Sequence, residues 1–467
     1  MPPHLEAQEE LKAELLSRTY QDQLGVQALG IGPMDLAKGP DKVRLPRQVV
    51  NFTSNKVQIE APKVVDLGGI KVGVFGVVGL EKIGDQAFGE PIAPSKAAIA
   101  DLKGKGAQVI VGLVQAGSKK DAVKLVRDIG GIDVAIAGLG ALAPEPELVD
   151  AEATKVGDSW LVIPGNRGQV VSRLDITVRG TGPLVDAVGA GAAAAKTTSI
   201  EKRLVALDAD LAKFATDKDA DPAFVAQKKA EREALAQEKM QLATSPLVVP
   251  ASGPYFTLEQ IRINKKLACE VPVQTAVTDF FRAAGEANVK AAASQPVPAV
   301  PKDAAVYVGA EACDDCHSDA VAFWKTTRHA GAWDTLEKRG QQFDFDCIGC
   351  HVTGWERPGG SNLAHNENLR DVQCETCHGP ASIHVAKGGE EKPVTVQRMP
   401  DEKLCATQCH TKEHSDTFDL QPYLRDIVGP GHGDSLRRAL GDGPTGHELR
   451  KAALDKAGRN LGAGCVR

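Results

Sequence analysis

Four short stretches near the end of the chain place two cysteines and a histidine in the same order. Three have the spacing Cys-x-x-Cys-His and begin at Cys313, Cys347 and Cys374, while the fourth begins at Cys405 and has one more residue between its cysteines. Two thiols at this spacing can form thioethers with the two vinyl groups on one edge of a haem, and the histidine that follows can then ligate the iron. The four motifs therefore predict four covalently bound haem c groups.

Eight cysteines and four histidines would hold these groups. The predicted sites of covalent attachment are Cys313, Cys316, Cys347, Cys350, Cys374, Cys377, Cys405 and Cys409. The predicted proximal ligands of the haem iron are His317, His351, His378 and His410. A structural zinc ion would use the cysteine pairs but would leave most of the histidines unused. A disulfide framework would not explain the histidines at all, so haem attachment is the interpretation that uses both residue types.

A haem iron with six ligands needs a second axial ligand, and histidines outside the motifs can provide it. His384 follows His378 by six residues, so it cannot easily reach the opposite face of the same ring and is expected to ligate another haem. His329 and His432 are likewise candidates for this second ligand, called the distal ligand, and His414 is a further candidate.

Three good distal candidates for four irons leave one haem without a second histidine. No histidine follows His351 within the next dozen residues, and the next along the chain is His365. The haem of the second motif is therefore expected to be five-coordinate. An open iron of this kind can bind a small molecule, whereas a closed one only passes electrons.

The composition sets this chemistry apart from the rest of the chain. The 467 residues are enough for roughly two to four domains, and ten of the eleven histidines lie after residue 268. The net charge of −6 gives no sign of the basic surface that nucleic-acid-binding domains carry. The sequence has no apolar stretch of about 18 residues, so it predicts no membrane span.

Residues 1–185 are predicted to form an α/β domain, because apolar β-branched runs alternate with helical patterns. The predicted strands are residues 70–80, 107–117, 132–140, 159–165 and 169–180. The predicted helices are residues 95–106 and 119–131, and each is stopped by glycine. Alternation at this spacing is typical of a sheet with parallel members.

Residues 186–292 are predicted to form a helical hairpin that acts as a spacer. Apolar residues recur at steps of four and three, which is the period of a packed helical seam, and they are Ile200, Leu204, Leu207, Leu211 and Phe214. A second helix is expected to begin at Asp221-Pro222, and Thr257 with Gln260 resembles a capping box that begins a third. A Pro- and Ala-rich linker over 293–304 then precedes the motif-bearing domain, residues 305–467.

The C-terminal motifs and the segments between them resemble the cytochrome c554-type tetrahaem family. The similarity lies in YVGAEACDDCH, WKTTRHA, DCIGCHVTGWERPGG and VQCETCHGPASIHV, in this order, over about residues 305–435. The resemblance implies a mostly helical, loop-rich electron-transfer module with four stacked haems, of which three have two histidine ligands and one is five-coordinate. If the ligands of the family are assigned to this chain by motif position, the resemblance implies that the distal ligands are His329, His384 and His432 and that the open haem is that of His351. The longer spacing at Cys405 departs from the family pattern.

The N-terminal half resembles the later part of the calcineurin-like metallophosphoesterase fold of the nucleotidase type. The segments VVNFTSN, GIKVGVFGVVGL, GAQVIVGLVQAG, GIDVAIAGLG and GQVVSRLDITV follow the strand order of that family. A two-metal site of that family needs His, Asp and Asn ligands, yet the only histidine in this half is His4. At the three places where that family has metal ligands, this chain has other residues. They are Gly32-Pro33-Met34-Asp35, Gln115 and Gly138-Leu139-Gly140-Ala141. The resemblance therefore implies a catalytically silent relative, or a fragment that lacks its first strands.

Covalent haem attachment takes place outside the cytoplasm in the systems that this chain resembles, so a periplasmic or other extracytoplasmic location is expected. The first 25 residues lack the basic and apolar regions of a secretory signal. A misassigned start or a removed presequence would account for this, and membrane association would depend on such a missing signal or on a lipid anchor. Outside the motifs, Cys269 and Cys465 could pair in an oxidising compartment or could be two unrelated thiols.

Three functions are compatible with these patterns. The motif order and the surplus of histidines favour electron transfer between a donor and an acceptor protein, without nucleic acid as a partner. An open haem would allow the reduction of a small nitrogen or sulfur oxyanion, although no distinctive set of acid-base residues accompanies it. A metallophosphoesterase with accessory haems is the third possibility, and the missing metal ligands argue against it.

Overall fold

The computed structural model divides the chain into two compact units. The first, here called the motif unit, comprises Met1–Gly25 and Asn264–Arg467, and the second, the sheet unit, comprises Val26–Ile263. The residues that the structure describes are 3–140, 149–165, 168–188, 190–216, 221–246, 249–263, 267–293, 298–389, 396–398, 400–411, 414–415 and 417–456.

Helices and strands are numbered here along the chain, within the described residues. The α-helices are α1 (Pro3–Arg18), α2 (Pro33–Leu36), α3 (Ile92–Gly104), α4 (Lys119–Ile129), α5 (Ala190–Phe214), α6 (Pro222–Thr244), α7 (Val271–Ala292), α8 (Asp314–Trp324), α9 (Ala332–Glu337), α10 (Phe345–Ile348), α11 (Cys374–His378), α12 (Ser382–Ala386), α13 (Glu402–Leu404), α14 (Leu420–Ile427), α15 (Asp434–Leu440) and α16 (Gly446–Lys456). The strands are β1 (Arg47–Gln48), β2 (Ile59–Glu60), β3 (Lys63–Leu67), β4 (Ile70–Val78), β5 (Lys82–Ile83), β6 (Gln86–Ala87), β7 (Val109–Gln115), β8 (Val134–Gly138), β9 (Thr154–Val156), β10 (Ser159–Val162), β11 (Val170–Thr177), β12 (Val185–Asp186) and β13 (Tyr255–Arg262). No α-helix in the described part of the chain is both long enough and apolar enough to span a lipid bilayer.

The sheet unit is built around a six-stranded sheet in the order β3-β4-β7-β8-β10-β9. The strands β4, β7, β8 and β10 are parallel, and β3 and β9 pair antiparallel at the two edges. The parallel strands are nearly continuous apolar runs, such as IKVGVFGVV in β4, as expected for strands that are covered on both faces. The predicted α/β sheet with parallel members is present in this unit.

The helices α3 and α4 share one hydrophobic core with the strands of this sheet. The strand residues Phe75, Ile110 and Leu161 and the helix residues Leu102 and Val126 are each at most 1% exposed. Burial of large apolar side chains is the main source of stability in such a core. The sheet and these two helices therefore form one stable scaffold.

The strand predicted over 169–180 does not complete the main sheet. As β11 it pairs with β13 in a separate three-stranded sheet of order β11-β13-β12. The strand β13 lies where Thr257 and Gln260 predicted the beginning of a helix, and that prediction is wrong. Phe256 and Leu258 are 0% and 3% exposed, and this period of two suits a strand with one buried face.

The helices α5 and α6 form the predicted hairpin. The seam residues Ile200 and Leu207 are buried, and Ile200 shares a small apolar cluster with Leu242 of α6. Arg203 of α5 and Glu231 of α6 form an ion pair at 2.6 Å. Because β12 precedes the hairpin and β13 follows it in the same sheet, the hairpin is an insertion between two strands of the sheet unit.

The motif unit contains two long helices and a series of short ones. The helices α1 and α7 pack against each other, and the short helices α8–α16 are separated by loops. A small buried cluster comprises Ala292, Trp333, Ile348, Val352 and Leu363. The predicted domain boundaries do not follow the two units, because α1 and α7 share a unit with the motifs. Part of the predicted linker, residues 294–297, lies outside the described residues.

Candidate haem centre

Each of the four motifs lies in a helical turn. In the third motif, α11 spans Cys374–His378 and ends at Gly379, whose φ of 88° lies in the left-handed region that glycine adopts easily. In the irregular motif, Cys405–Cys409 form one π-type turn, and the His410 nitrogen donates a hydrogen bond of 2.8 Å to the Cys405 oxygen. A π-type turn contains one more residue than an α-helical turn. The additional residue of this motif is therefore absorbed within the turn.

The structure pairs two motif histidines with histidines from elsewhere in the chain. The imidazole rings of His317 and His384 have their centroids 6.4 Å apart, with 27° between the ring planes. His410 and His329 lie at the same centroid distance of 6.4 Å with an angle of 38°. Two imidazoles bound to opposite sides of one metal by bonds of about 2 Å would place their ring centres about 6 Å apart. Each pair therefore leaves the space that an iron between the rings requires.

A third motif histidine, His378, lies near His432. Burial lowers the pKa of His432, and the neighbouring His378 lowers this pKa further. Burial also lowers the pKa of His329, and it lowers the pKa of His410 to about 4. A neutral imidazole has a free nitrogen lone pair, which is the form that binds a metal. These histidines are therefore kept in the form of a ligand.

Three of the motif histidines have a hydrogen-bond partner at Nδ1. These pairs are His351 with the Ala332 oxygen at 2.6 Å, His378 with the Gln397 oxygen at 2.6 Å and His410 with Ser415 Oγ at 3.2 Å. A partner at this nitrogen fixes the orientation and tautomer of the ring and leaves Nε2 free for a metal.

Two of the distal candidates have a buried nitrogen without a hydrogen bond. Nδ1 of His384 and Nδ1 of His432 are buried and find no partner within the described part of the chain. Buried polar atoms are rarely left in this state. The ring separations of the two histidine pairs are what fit a haem iron, and the unpaired Nδ1 atoms of His384 and His432 are open to a further hydrogen-bond partner.

His351 is placed differently from the other motif histidines. Within the described residues, no second imidazole ring is paired with His351 as His384 is paired with His317. Burial lowers the pKa of His351, and His414, which is exposed, adds a smaller effect. His365 is exposed as well. The structure therefore brings His329, His384 and His432 near motif histidines but pairs the ring of neither His414 nor His365 with that of His351.

Four of the motif cysteines lie next to one another in two pairs. Cys313 lies beside Cys374, and Cys350 lies beside Cys409. The first motif therefore adjoins the third, and the second adjoins the fourth. Burial raises the pKa of the Cys377 thiol to about 11.

Cys269 differs from the motif cysteines because it is disulfide-bonded. The interpretation that it is one of two unrelated thiols is therefore wrong for Cys269. Cys465, with which the sequence allows Cys269 to pair, lies outside the described residues.

The helices α1 and α7 hold the loop that leads into the second motif, a relationship that was not predicted from the sequence. Gln8 of α1 is 1% exposed, and its Nε2 donates to Asp344 Oδ1 at 2.7 Å. Its Oε1 accepts a hydrogen bond of 2.7 Å from Asn288 of α7. Asp344 also accepts from the Asp346 nitrogen at 2.8 Å and so caps α10, the helix that carries Cys347. Residues distant in sequence therefore position the helix that carries Cys347.

Protein side chains fill the carboxyl edge of the parallel strands, where a two-metal phosphoesterase site would lie. Gln115 ends β7, and its Oε1 would be 3.0 Å from a Cβ on Gly32 and 2.6 Å from a Cβ on Gly138. Asp35 accepts a hydrogen bond of 2.8 Å from the Gly32 nitrogen and pairs with Arg47 at 2.7 Å. The polar side chains at this edge of the sheet, Gln115, Asp35 and Arg47, are therefore occupied by contacts within the protein.

Asn51, in the segment VVNFTSN, also has a structural use. Its Nδ2 donates to the backbone oxygens of Val78 and Gly89 at 2.7 and 2.8 Å. Ala141, at the turn where further ligands would lie, is outside the described residues. Among the residues that are described, no three His, Cys, Asp or Glu side chains converge as a metal-ion site.

Comparison with known proteins finds similarity in the segment that carries the first three motifs. Residues 312–379 match the family model described as "Cytochrome c554 and c-prime". Cytochrome c-554 of Nitrosomonas europaea is 35% identical over 92 residues, which cover 16% of this chain and 39% of that protein. The chain therefore spans about two fifths of the length of this relative. The resemblance to the cytochrome c554 family is confirmed over this segment.

Two solved structures also show similarity. The reduced state of cytochrome c554 from Nitrosomonas europaea has 27% identity, covers 22% of this chain and 64% of that chain, and gives a TM-score of 0.18. A Staphylococcus aureus protein described as a 5'-nucleotidase and solved with alpha-ketoglutarate has 13% identity, covers 66% of this chain and 47% of that chain, and gives a TM-score of 0.28. Both TM-scores are too low to support a structural argument.

Proposed function

We propose that the motif unit binds four haem c groups and transfers electrons between redox partner proteins in an extracytoplasmic compartment. The observation that carries this proposal is the pairing of His317 with His384 and of His410 with His329, each with 6.4 Å between ring centroids, the separation that two imidazoles on one iron require. The cysteine motifs and the similarity of residues 312–379 to the cytochrome c554 family support the same function.

The residues of the chain would have distinct tasks in this function. Haem iron, when bound, accepts and releases one electron at a time. Each facing pair of histidines would fill both axial positions, which excludes small ligands and leaves electron transfer as the role of that site. The cysteines would fix each group by covalent bonds, and the adjacency of Cys313 to Cys374 and of Cys350 to Cys409 favours close spacing between neighbouring groups.

A count of covalently bound haem tests this function. Protein matured in a host that attaches haem c should contain four haems per chain in a pyridine haemochrome assay and in its intact mass. The double substitution Cys405→Ser and Cys409→Ser should lower both values by one haem, which tests the irregular motif directly. Matured protein that is colourless, or whose mass equals that of the bare chain, would contradict the proposal.

The placement of His351 supports a second candidate function, the reduction of a small nitrogen or sulfur oxyanion at an open haem. Since no second imidazole ring is paired with His351 within the described residues, a haem held at this motif would be open to a small molecule. Titration with carbon monoxide or nitric oxide should therefore saturate at one ligand per chain. A protein whose haems are all low-spin and ignore both gases would remove this second function.

For the sheet unit we infer that no two-metal phosphoesterase chemistry takes place, since Gln115 fills the space between Gly32 and Gly138 and Asp35 is paired with Arg47. An assay with added manganese and an aryl phosphate or a nucleotide should give no metal-dependent hydrolysis. Hydrolysis that depends on manganese and is lost in Asp35→Asn would overturn this inference.

A further inference from the structure

Glu375 lies between the two cysteines of the third motif, and its side chain is only 2% exposed. A carboxylate is rarely buried unless hydrogen bonds or an opposite charge compensate the loss of water. The covalent attachment of haem does not require an acid at this position, because the motif fixes only the two cysteines and the histidine. The burial of Glu375 therefore calls for a separate explanation.

Both carboxylate oxygens of Glu375 accept hydrogen bonds from the backbone of two other segments. Oε2 accepts from the nitrogens of Val308 and Gly309 at 2.9 and 2.8 Å. Oε1 accepts from the nitrogens of Val308 and Ala381 at 3.1 and 2.8 Å. All of these contacts are N–H donors, which is the environment of an ionised carboxylate, and hydrogen bonds to a charged acceptor are stronger than neutral ones.

The two segments that Glu375 joins lead to the two histidines of one facing pair. Gly309 stands shortly before the first motif, which ends at His317. Ala381 directly precedes α12, the helix that carries His384. One carboxylate therefore fixes the backbone just ahead of each histidine-bearing segment, and the distance between the two imidazoles depends on where these two segments begin.

Other hydrogen bonds join the same segments and would keep them folded if the carboxylate were removed. The Val306 nitrogen donates to Ser382 Oγ at 2.9 Å, and the Ser382 nitrogen donates to the Val306 oxygen at 3.1 Å. The Ala310 nitrogen donates to Gln373 Oε1 at 2.5 Å. Substitution of Glu375 should therefore change the site without unfolding the whole unit.

We propose that Glu375 is a positioning residue that sets His317 and His384 against each other, and that its buried negative charge lowers the reduction potential of the haem between them. This inference rests on the proposed function, since it requires haem at this pair. Reduction adds one electron to ferric iron and gives ferrous iron. A fixed negative charge in a region of low dielectric opposes this addition more strongly than the same charge in water.

The substitution Glu375→Gln removes the charge but keeps the size of the side chain. It should shift the one-electron reduction equilibrium of this haem about tenfold towards the reduced form, which corresponds to about 59 mV. The variant His384→Ala identifies which component of the redox titration belongs to this pair. The matched control is Glu311→Gln, since Glu311 is exposed near the first motif and its substitution removes the same formal charge. The control should leave the titration unchanged.

The positioning role is tested by the spin state in electron paramagnetic resonance. Glu375→Ala should convert part of the His317–His384 haem from low-spin to high-spin, whereas Glu375→Asp, which keeps the charge, should restore part of the low-spin signal. If Glu375→Ala does not mature, the comparison of Glu375→Gln with Glu375→Asp by potential and spin state decides the question.

A haem count on the same preparations separates two kinds of failure. Wild-type protein without covalent haem at the first motif would contradict the proposed function. Wild-type protein with its full haem content, together with Glu375 variants whose potentials and spin states equal those of the wild type, would overturn this inference alone.

Discussion

His317 and His384 belong to segments that are distant in sequence, yet their rings face each other at 6.4 Å with only 27° between their planes. His384 follows the third motif by six residues, but its partner is the histidine of the first motif. The pairing therefore crosses from one motif to another, in the same way that Cys313 of the first motif adjoins Cys374 of the third. A ligand shared in this manner would join two haem-binding segments into one structure.

The crossed pair leads to a prediction for His384→Ala. Loss of this imidazole should open one axial position, so one haem should change from low-spin to high-spin and the number of carbon monoxide molecules bound per chain should rise by one. Electron paramagnetic resonance and a gas titration measure the two effects. The matched control is His365→Ala, since His365 is exposed, and it should behave as the wild type. An unchanged spin state in His384→Ala would show that this histidine is not an axial ligand.

A second prediction concerns Gln8, whose amide joins α1 to Asp344 and Asn288. Gln8→Ala should remove the hydrogen bonds that this buried amide makes with Asp344, Asn288 and the Phe345 nitrogen and should lower the free energy of unfolding of the motif unit by about 2–4 kcal/mol. Chemical denaturation followed by haem absorbance measures this loss. The control is Gln21→Ala, because Gln21 is an exposed glutamine that follows the same helix, and it should change the free energy of unfolding by less than about 0.5 kcal/mol. Equal effects of the two substitutions would argue against the role of Gln8.

A third prediction uses two glycines of the sheet unit. A Cβ on Gly76 in β4 would collide with the backbone oxygen of Gln48, whereas a Cβ on Gly104 in α3 would meet no atom within 4 Å. Gly76→Ala should therefore destabilise the unit by about 2–4 kcal/mol, because a backbone cannot yield as a flexible side chain can. Gly104→Ala should stabilise it by up to about 1 kcal/mol, since alanine favours a helix more than glycine does. Thermal unfolding of the two variants should shift in opposite directions, and shifts in the same direction would contradict this account.

A fourth prediction concerns the pH dependence of the helical hairpin. Lys196 of α5 has a side chain only 14% exposed and pairs with Glu238 at 3.0 Å and with Glu152 at 3.5 Å. Burial opposes its charge, but the two carboxylates outweigh this effect and raise the pKa of Lys196. A pKa that is higher in the folded than in the unfolded state means that the stabilising contribution is complete below about pH 10 and is lost as the pH rises through the folded value.

Lys196→Met should therefore lower the free energy of unfolding by about 1–3 kcal/mol at pH 8, and the difference from the wild type should shrink above about pH 11. The control is Lys239→Met, because Lys239 pairs with Glu201 at 2.8 Å across the same two helices but is 40% exposed. An exposed pair of this kind contributes at most about 1 kcal/mol. Urea denaturation at the two pH values measures both variants, and an equal loss in the two would refute the distinction.

The alternation of strands and helices over residues 70–138 could be predicted because it depends on local patterns. Apolar runs such as IKVGVFGVV form buried strands, and glycines end the helices between them. Thr257 and Gln260 show the limit of this approach, since their spacing satisfies a capping box but their segment becomes β13. Pairing with β11 and the burial of Phe256 decide the outcome, and neither can be seen within the segment.

The sequence by itself determined where two thiols and an imidazole lie close along the chain, and it predicts haem attachment there because these groups must reach one porphyrin edge and its iron. Only the tertiary structure decided which distant histidine faces which motif, that Gln8 and Asn288 hold the second motif, and that Glu375 joins the segments of His317 and His384. Covalent geometry limits the spacing of the two thiols and the imidazole to a few neighbouring residues. The second kind depends on how buried polar groups across the whole chain find their partners, and no local spacing encodes that choice.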